Sequence, residues 1–173
     1  MSAEKTAVEL AISQKIKMLR NLSAIIDKGA RHAETKKFEV EVLLNSRLAP
    51  DQFNFTRQIQ IACDTAKLCA ARLSNKEAPS HPDTEKTLPE LKARIDSVAT
   101  YLQGFSEKDF AGWETRKISQ PRWEGKYLTG EEFLWQHAIP NFFFHMTTAY
   151  AILRHNGVEV GKKDYLGEMP FKK

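Results

Sequence analysis

Three side chains able to coordinate a metal or move a proton recur at four-residue steps near the C-terminal end: His137, Asn141 and His145. In a helix, steps of four place side chains one above another along the axis. Two imidazoles, or an imidazole and an amide, can bind one metal ion at that spacing, as helical His-x-x-x-His pairs do. The two imidazoles here are eight residues apart, and metal sites need several convergent ligands. The plainer alternative is a hydrogen-bonded core histidine. A second pair, Gln60 and Asp64, is again four apart. Asp64 is a good hard ligand and Gln60 a weak one. If His145 acts in catalysis, it suits a general base or ligand, because imidazole titrates near neutrality. Asp64 would then orient it, and the two amides would hold a substrate carbonyl. The alternative for Asp64 is a solvent-facing ion pair with Lys67 or Lys92.

Other chemistries are missing their signatures. There is no serine-nucleophile motif, Gly-rich phosphate loop, Cys-x-x-Cys or H-E-x-x-H. Cys63 and Cys69 are six residues apart in one expected helix, about 600° around the axis or roughly 120° net. They cannot easily pair, and they read as small buried hydrophobes kept reduced in a cytoplasm.

The elements that must position these residues are helices. Val8, Ile12, Ile16, Leu19, Leu22 and Ile26 form one apolar stripe, which predicts a helix over residues 4–33. Residues 38–51 are apolar without a clean period and read as a packed connector with one helical turn. Ile59, Ala62, Ala66, Cys69 and Leu73 predict a second helix over 56–74. Gln60 and Asp64 lie away from that stripe, whereas Gln58 lies beside it. Thr87-Leu88-Pro89-Glu90 is a capping box with a proline in the first turn. Behind it Leu91, Ile95, Val98 and Leu102 predict a third helix over 88–104, closed by Gly104 as a C-cap. Ser106 suits the start of a short turn ending near Phe110. Ile118, Trp123 and Tyr127 around Pro121 and Gly125 suggest a β-hairpin. Thr129-Gly130-Glu131-Glu132 is a second capping box, opening a last helix over 130–156. Pro140 should kink it. Its apolar residues cover both sides: Leu134, Ala138 and Ala149 on one, Ile139, Phe143 and Tyr150 on the other. A helix so apolar is central in a core or shared with a second subunit, so a homodimer is expected.

Composition agrees with a folded domain. The 173 residues are 42% hydrophobic and 28% charged, with a net charge of +4. Length and composition fit one domain spanning 1–173. The most apolar stretch, 133–153, is interrupted by Gln136, His137, Pro140, Asn141 and His145, and reads as buried helix rather than membrane span. Residues 1–6 carry Glu4 and Lys5 and do not read as a secretory leader. Lys15, Lys17, Arg20, Lys28, Arg31, Lys36 and Lys37 fall on several helix faces, which reads as solvated surface and not as a nucleic-acid footprint.

The run Ile139-Pro140-Asn141-Phe142-Phe143-Phe144-His145, continuing from Thr147 to Gly157, resembles one uncharacterised bacterial and fungal family of the DinB/YfiT-like superfamily of metal-dependent bundles. Arg47-Leu48-Ala49-Pro50-Asp51, the run Gln58 to Lys67, and Thr87-Leu88-Pro89-Glu90-Leu91 carry the same resemblance over nearly the whole chain. It implies an all-α, antiparallel four-helix bundle, often dimeric. It also implies a divalent-metal site in which one histidine of the second helix joins a His-x-x-x-His pair of the last. Here His145 matches the second histidine of that pair, the first falls on Asn141, and the second-helix ligand falls near Gln60. Two of three imidazoles are thus amides, so a metal would be held weakly, by His145 alone. The combined expectation is a polar pocket between the second and last helices, lined by Gln60, Asp64, Asn141 and His145. It would be a degenerate metal site or a small-molecule site. Enzyme and non-catalytic binding or dimerising bundle both fit these residues, and no nucleic acid or membrane partner is expected.

Overall fold

In the computed structural model, which describes residues 6–172, the chain is mostly helical with one small antiparallel sheet. The first helix, α1 (Ala7–Lys36), begins where the Thr6 hydroxyl accepts a hydrogen bond from the Glu9 backbone and the Glu9 carboxylate accepts one from the Thr6 backbone. The expected start at Glu4, and Lys5 with it, lies outside the described residues. The helix ends when Lys37 turns left-handed, with φ 58°. Val8, Ile12, Leu19, Leu22 and Ile26 are buried as the stripe requires, but Ile16 is only partly so. Lys15 takes the inner position instead and is 1% exposed. Its ammonium sits 5.7 Å from the centre of the Phe142 ring. Lys15 therefore departs from the reading of these lysines as solvated surface. Its stem packs in the core, and an aromatic face meets its charge.

The connector contributes α2 (Glu41–Asn45), which buries Leu43 and Leu44. Asn54 caps α3 (Phe55–Ser74), accepting from the Arg57 backbone, and Asn75 ends it at φ 57°. Its buried face is wider than the small-residue stripe and includes Phe55, Gln58, Gln60 and Cys63. The Thr87–Glu90 capping box opens α4 (Leu88–Gln103). Gly104 ends it with an ordinary right-handed φ of −74° rather than the left-handed cap expected of glycine. Ser106 and Asp109 cap a 3₁₀ turn, Glu107–Phe110. Strands β1 (Lys117–Ser119) and β2 (Tyr127–Thr129) pair Ile118 with Leu128 around the turn Pro121–Trp123.

The last helical stretch changes pitch. A first turn, α5 (Gly130–Glu132), is capped by Thr129 and Glu132. It passes into a π-helical segment, Phe133–Ala138, and then into α6 (Ile139–His155). The Ile139 amide bonds back to Leu134, five residues earlier. A proline ring would collide with the carbonyl four residues before it. The chain meets Pro140 with this wider turn. Leu134, Ala138 and Ala149 are buried, and Ile139, Phe143 and Tyr150 pack against the core from the other side. One chain thus consumes most of the helix's apolar surplus.

Helix α3 packs along both α6 and α4, and α1 packs against α4 and α6. A final helix, α7 (Lys162–Leu166), lies on α1. Among the described residues no helix is long and apolar enough to cross a membrane.

Candidate functional site

Helices α3 and α6 enclose a cavity of about 330 Å³. Successive turns of α3 line it with Arg57, Ile61, Asp64, Thr65, Leu68 and Arg72. Phe133, His137, Asn141 and His145 face them, and the hairpin turn adds Gln120 and Arg122. Wider grooves exist, such as one of about 740 Å³ between α1 and α4. The α3–α6 cavity is the better candidate because polar groups converge on it over an apolar lining.

At one end His145 is buried, 7% exposed. The Gln58 amide nitrogen donates to the Phe53 carbonyl at 3.0 Å, which turns its oxygen to the His145 Nδ1 at 2.7 Å. An amide oxygen only accepts, so Nδ1 carries the proton and Nε2 keeps its lone pair. Burial, with a smaller contribution from the Arg57 charge, lowers the imidazole's pKa to about 4. At neutral pH His145 is a neutral, weakly basic group. This corrects the expectation that it titrates near neutrality as a general base. In the middle, the Asn141 amide donates to the Thr65 hydroxyl at 2.7 Å, leaving its oxygen as an acceptor. His137 is offset from the Asn141–His145 line by the π-helical turn. Its ring stacks on Phe133 with centroids 5.4 Å apart and meets the edge of Trp123.

Asp64 reaches the cavity but is not free to orient His145. Its carboxylate is held by Arg94 at 2.8 Å and by Lys67 at 2.9 Å. Of the two partners weighed from sequence, Lys67 is the one it meets, while Lys92 pairs with Asp27 at 2.5 Å. Gln60 does not line the cavity. Its amide donates to Glu85 at 2.9 Å on the α4 side of α3. The structure thus brings Asp64, Asn141 and His145 together and leaves Gln60 out. Gln58, not Gln60, is the glutamine that meets His145, from behind the cavity wall, as its position beside the apolar stripe could have indicated. Arg94 is almost wholly buried and gathers Asp64, Asp83 and Glu85 into one charged cluster between α3 and α4. No spacing rule points to Arg94, or to Arg72, Gln120 and Arg122, which come from separate elements.

The donor set does not fit a metal centre. Among the described residues, no three His, Cys, Asp or Glu side chains are arranged to hold an ion. At the matched positions there is one imidazole with two amides, and those amides are already engaged: Gln60 by Glu85 and Arg57, Asn141 by Thr65. Zinc and nickel sites call for several imidazole or thiolate donors.

A mostly helical chain with one small antiparallel hairpin matches the fold of a DinB family member. A crystal structure of a DinB family member protein from Shewanella denitrificans, at 1.83 Å resolution, superposes with a TM-score of 0.93. It is 64% identical, over 96% of this chain and 94% of that one. The chain belongs to the family described as Domain of unknown function (DUF1993), whose model matches residues 8–166. A comparison with curated proteins finds no match.

Proposed function

We propose that the chain is a single-domain, antiparallel four-helix bundle that uses the α3–α6 cavity to bind a small molecule in place of the metal its superfamily holds. The observation that carries the reading is the Gln58–His145 hydrogen bond. It sets an amide beside the one imidazole of the site and fixes the His145 tautomer, while burial and Arg57 keep the ring neutral. With the Asn141 oxygen and the His145 Nε2 lone pair, the cavity offers acceptors at one end and guanidinium donors at both. Such a set orients a polar ligand over an apolar lining. Buried, unpaired Cys63 and Cys69 support a reducing compartment such as the cytoplasm.

Metal content tests this. Protein purified without chelator should carry no stoichiometric zinc or nickel. The double substitution Gln58→His and Asn141→His, which adds one imidazole beside His145 and one a helical turn before it, should gain it. Near-stoichiometric metal in the native protein, lost on His145→Ala, would overturn the reading.

A second reading, a non-catalytic bundle that works by dimerising, is favoured by one observation. Phe53 and Phe144 are each more than half exposed, although Phe53 lines the cavity and Phe144 meets the His145 ring.

A further inference from the structure

The end of the cavity away from His145 gathers hydrogen-bond donors, two of them buried and without an acceptor among the described residues. Arg72, on the last turn of α3, lies over the Phe133 ring at 5.8 Å. Arg122, on the hairpin turn, donates to the His137 Nε2 at 3.0 Å. A guanidinium has no lone pair to offer, so Nε2 must accept and the His137 proton sits on Nδ1. That Nδ1–H is buried and has no acceptor among the described residues. The Gln120 side chain, 9% exposed, leaves its amide nitrogen buried and equally without a partner. No carboxylate among the described residues lies within ion-pair distance of Arg72 or Arg122. All eight ion pairs found there involve other cations. Asp64, the carboxylate of the lining, lies two turns away on α3 and is engaged by Arg94 and Lys67. Burial and the neighbouring charge of Arg122 both press the Arg72 pKa downward.

Buried donors left unpaired are costly, and native proteins rarely keep them without a partner. Two guanidinium groups on the lining, beside side chains whose buried imidazole and amide N–H groups lack acceptors, call for an acceptor-rich, negatively charged group. Carboxylate and phosphate match guanidinium donors best. We infer that Arg72, Arg122, Gln120 and His137 bind the anionic head group, carboxylate or phosphate, of a small molecule. Its apolar body lies along Leu68 and Ile61 toward Asn141. The inference rests on the reading of the cavity as a small-molecule site and adds the charge and polarity of the ligand.

Matched pairs of probes test it on the full chain. Benzoate is compared with benzamide, and phenyl phosphate with phenol, by calorimetry and by ¹H–¹⁵N spectra that follow the Gln120 side-chain amide. The anions should bind with a Kd of about 1 mM or tighter, and their neutral partners at least about tenfold more weakly. Arg122→Gln, at an exposed turn residue, should weaken anion binding by about tenfold, the loss of one charged hydrogen bond, and Arg72→Met should do the same. Neutral probes bound as tightly as the anions would overturn the charge assignment and leave the cavity reading standing. Anion affinity unchanged in both arginine variants would place the anions elsewhere and overturn it too. If neither member of either pair perturbs any cavity resonance, the small-molecule reading falls with it.

Discussion

A buried imidazole records its surroundings in its affinity for a proton, and His145 makes this measurable. Its pKa is lowered to about 4 by burial, with Arg57 adding to the effect, whereas an imidazole in the unfolded chain titrates near 6.5. Below about pH 6.5 the unfolded chain therefore takes up a proton that the native protein refuses until pH approaches 4. Stability is fully present above the unfolded value, falls as pH drops through this window, and levels off below it. His81 and His137 are shifted in the same direction, His81 by partial burial and by Lys67, whose ammonium lies 3.0 Å from its Nδ1. The His145 contribution is at most about 3 kcal/mol. Urea midpoints measured from pH 7.5 to 4 should fall with pH, and His145→Gln should flatten the slope. A slope unchanged by that substitution would show that His145 stays protonated or solvent-accessible in the native state.

Among the elements, the local signals and the long-range ones fared differently. The capping boxes at Thr87 and Thr129 were legible because a side chain three residues away satisfies the backbone, with no help from the rest of the fold. The stripes of α1, α3 and α4 located the helices within a few residues for the same local reason. Lys15 and Gln60 were not legible. An apolar stripe marks the centre of a buried face, and its edges depend on partners from distant segments. The π-helical turn before Pro140 was anticipated only as a kink. Glycine gives the sharpest test at this scale. Gly104 was expected to close α4 as a C-cap, yet its φ of −74° suits any residue, and an added Cβ would sit 3.3 Å from the Tyr101 carbonyl oxygen. Gly130, named only within a capping box, is the tighter position: a Cβ there would lie 1.7 Å from the Trp113 carbonyl oxygen. Backbone must move to admit it. Gly130→Ala should cost at least about 2 kcal/mol, lowering Tm by about 4–8 °C for a chain of this size. Gly104→Ala should stay within about 1 kcal/mol of the native protein. Equal melting temperatures for the two variants would contradict this packing of the last helix on the 110–116 segment.

For the molecule entire, two surfaces matter: its exposed large apolar side chains and the cavity itself. With Leu134, Ala138 and Ala149 buried and α2 covering its share, the apolar side chains left outside include Phe53, Phe144, Trp135 and Leu48, each at least 41% exposed. Large apolar side chains left in solvent, where they gather into a patch, mark an interface. A two-fold contact burying on the order of 1,200–2,000 Å² would cover it. Sedimentation velocity at micromolar concentration should show a species of twice the 19.8 kDa chain mass, converted to monomer by Phe144→Asp. A single species at the chain mass would sink the dimer. The cavity carries the central claim, that the chain binds a small organic ligand between α3 and α6. Its parts come from α3, the hairpin turn and α6, so sequence spacing exposed only the portion on α6. Mapping a library of small aromatic fragments by ¹H–¹⁵N spectra tests the claim most directly. Shifts should be confined to Thr65, Leu68, Arg72, Gln120, His137, Asn141 and their neighbours, and be abolished when Thr65→Trp fills the cavity. Shifts that gather in the α1–α4 groove instead, or that survive Thr65→Trp unchanged, would contradict it.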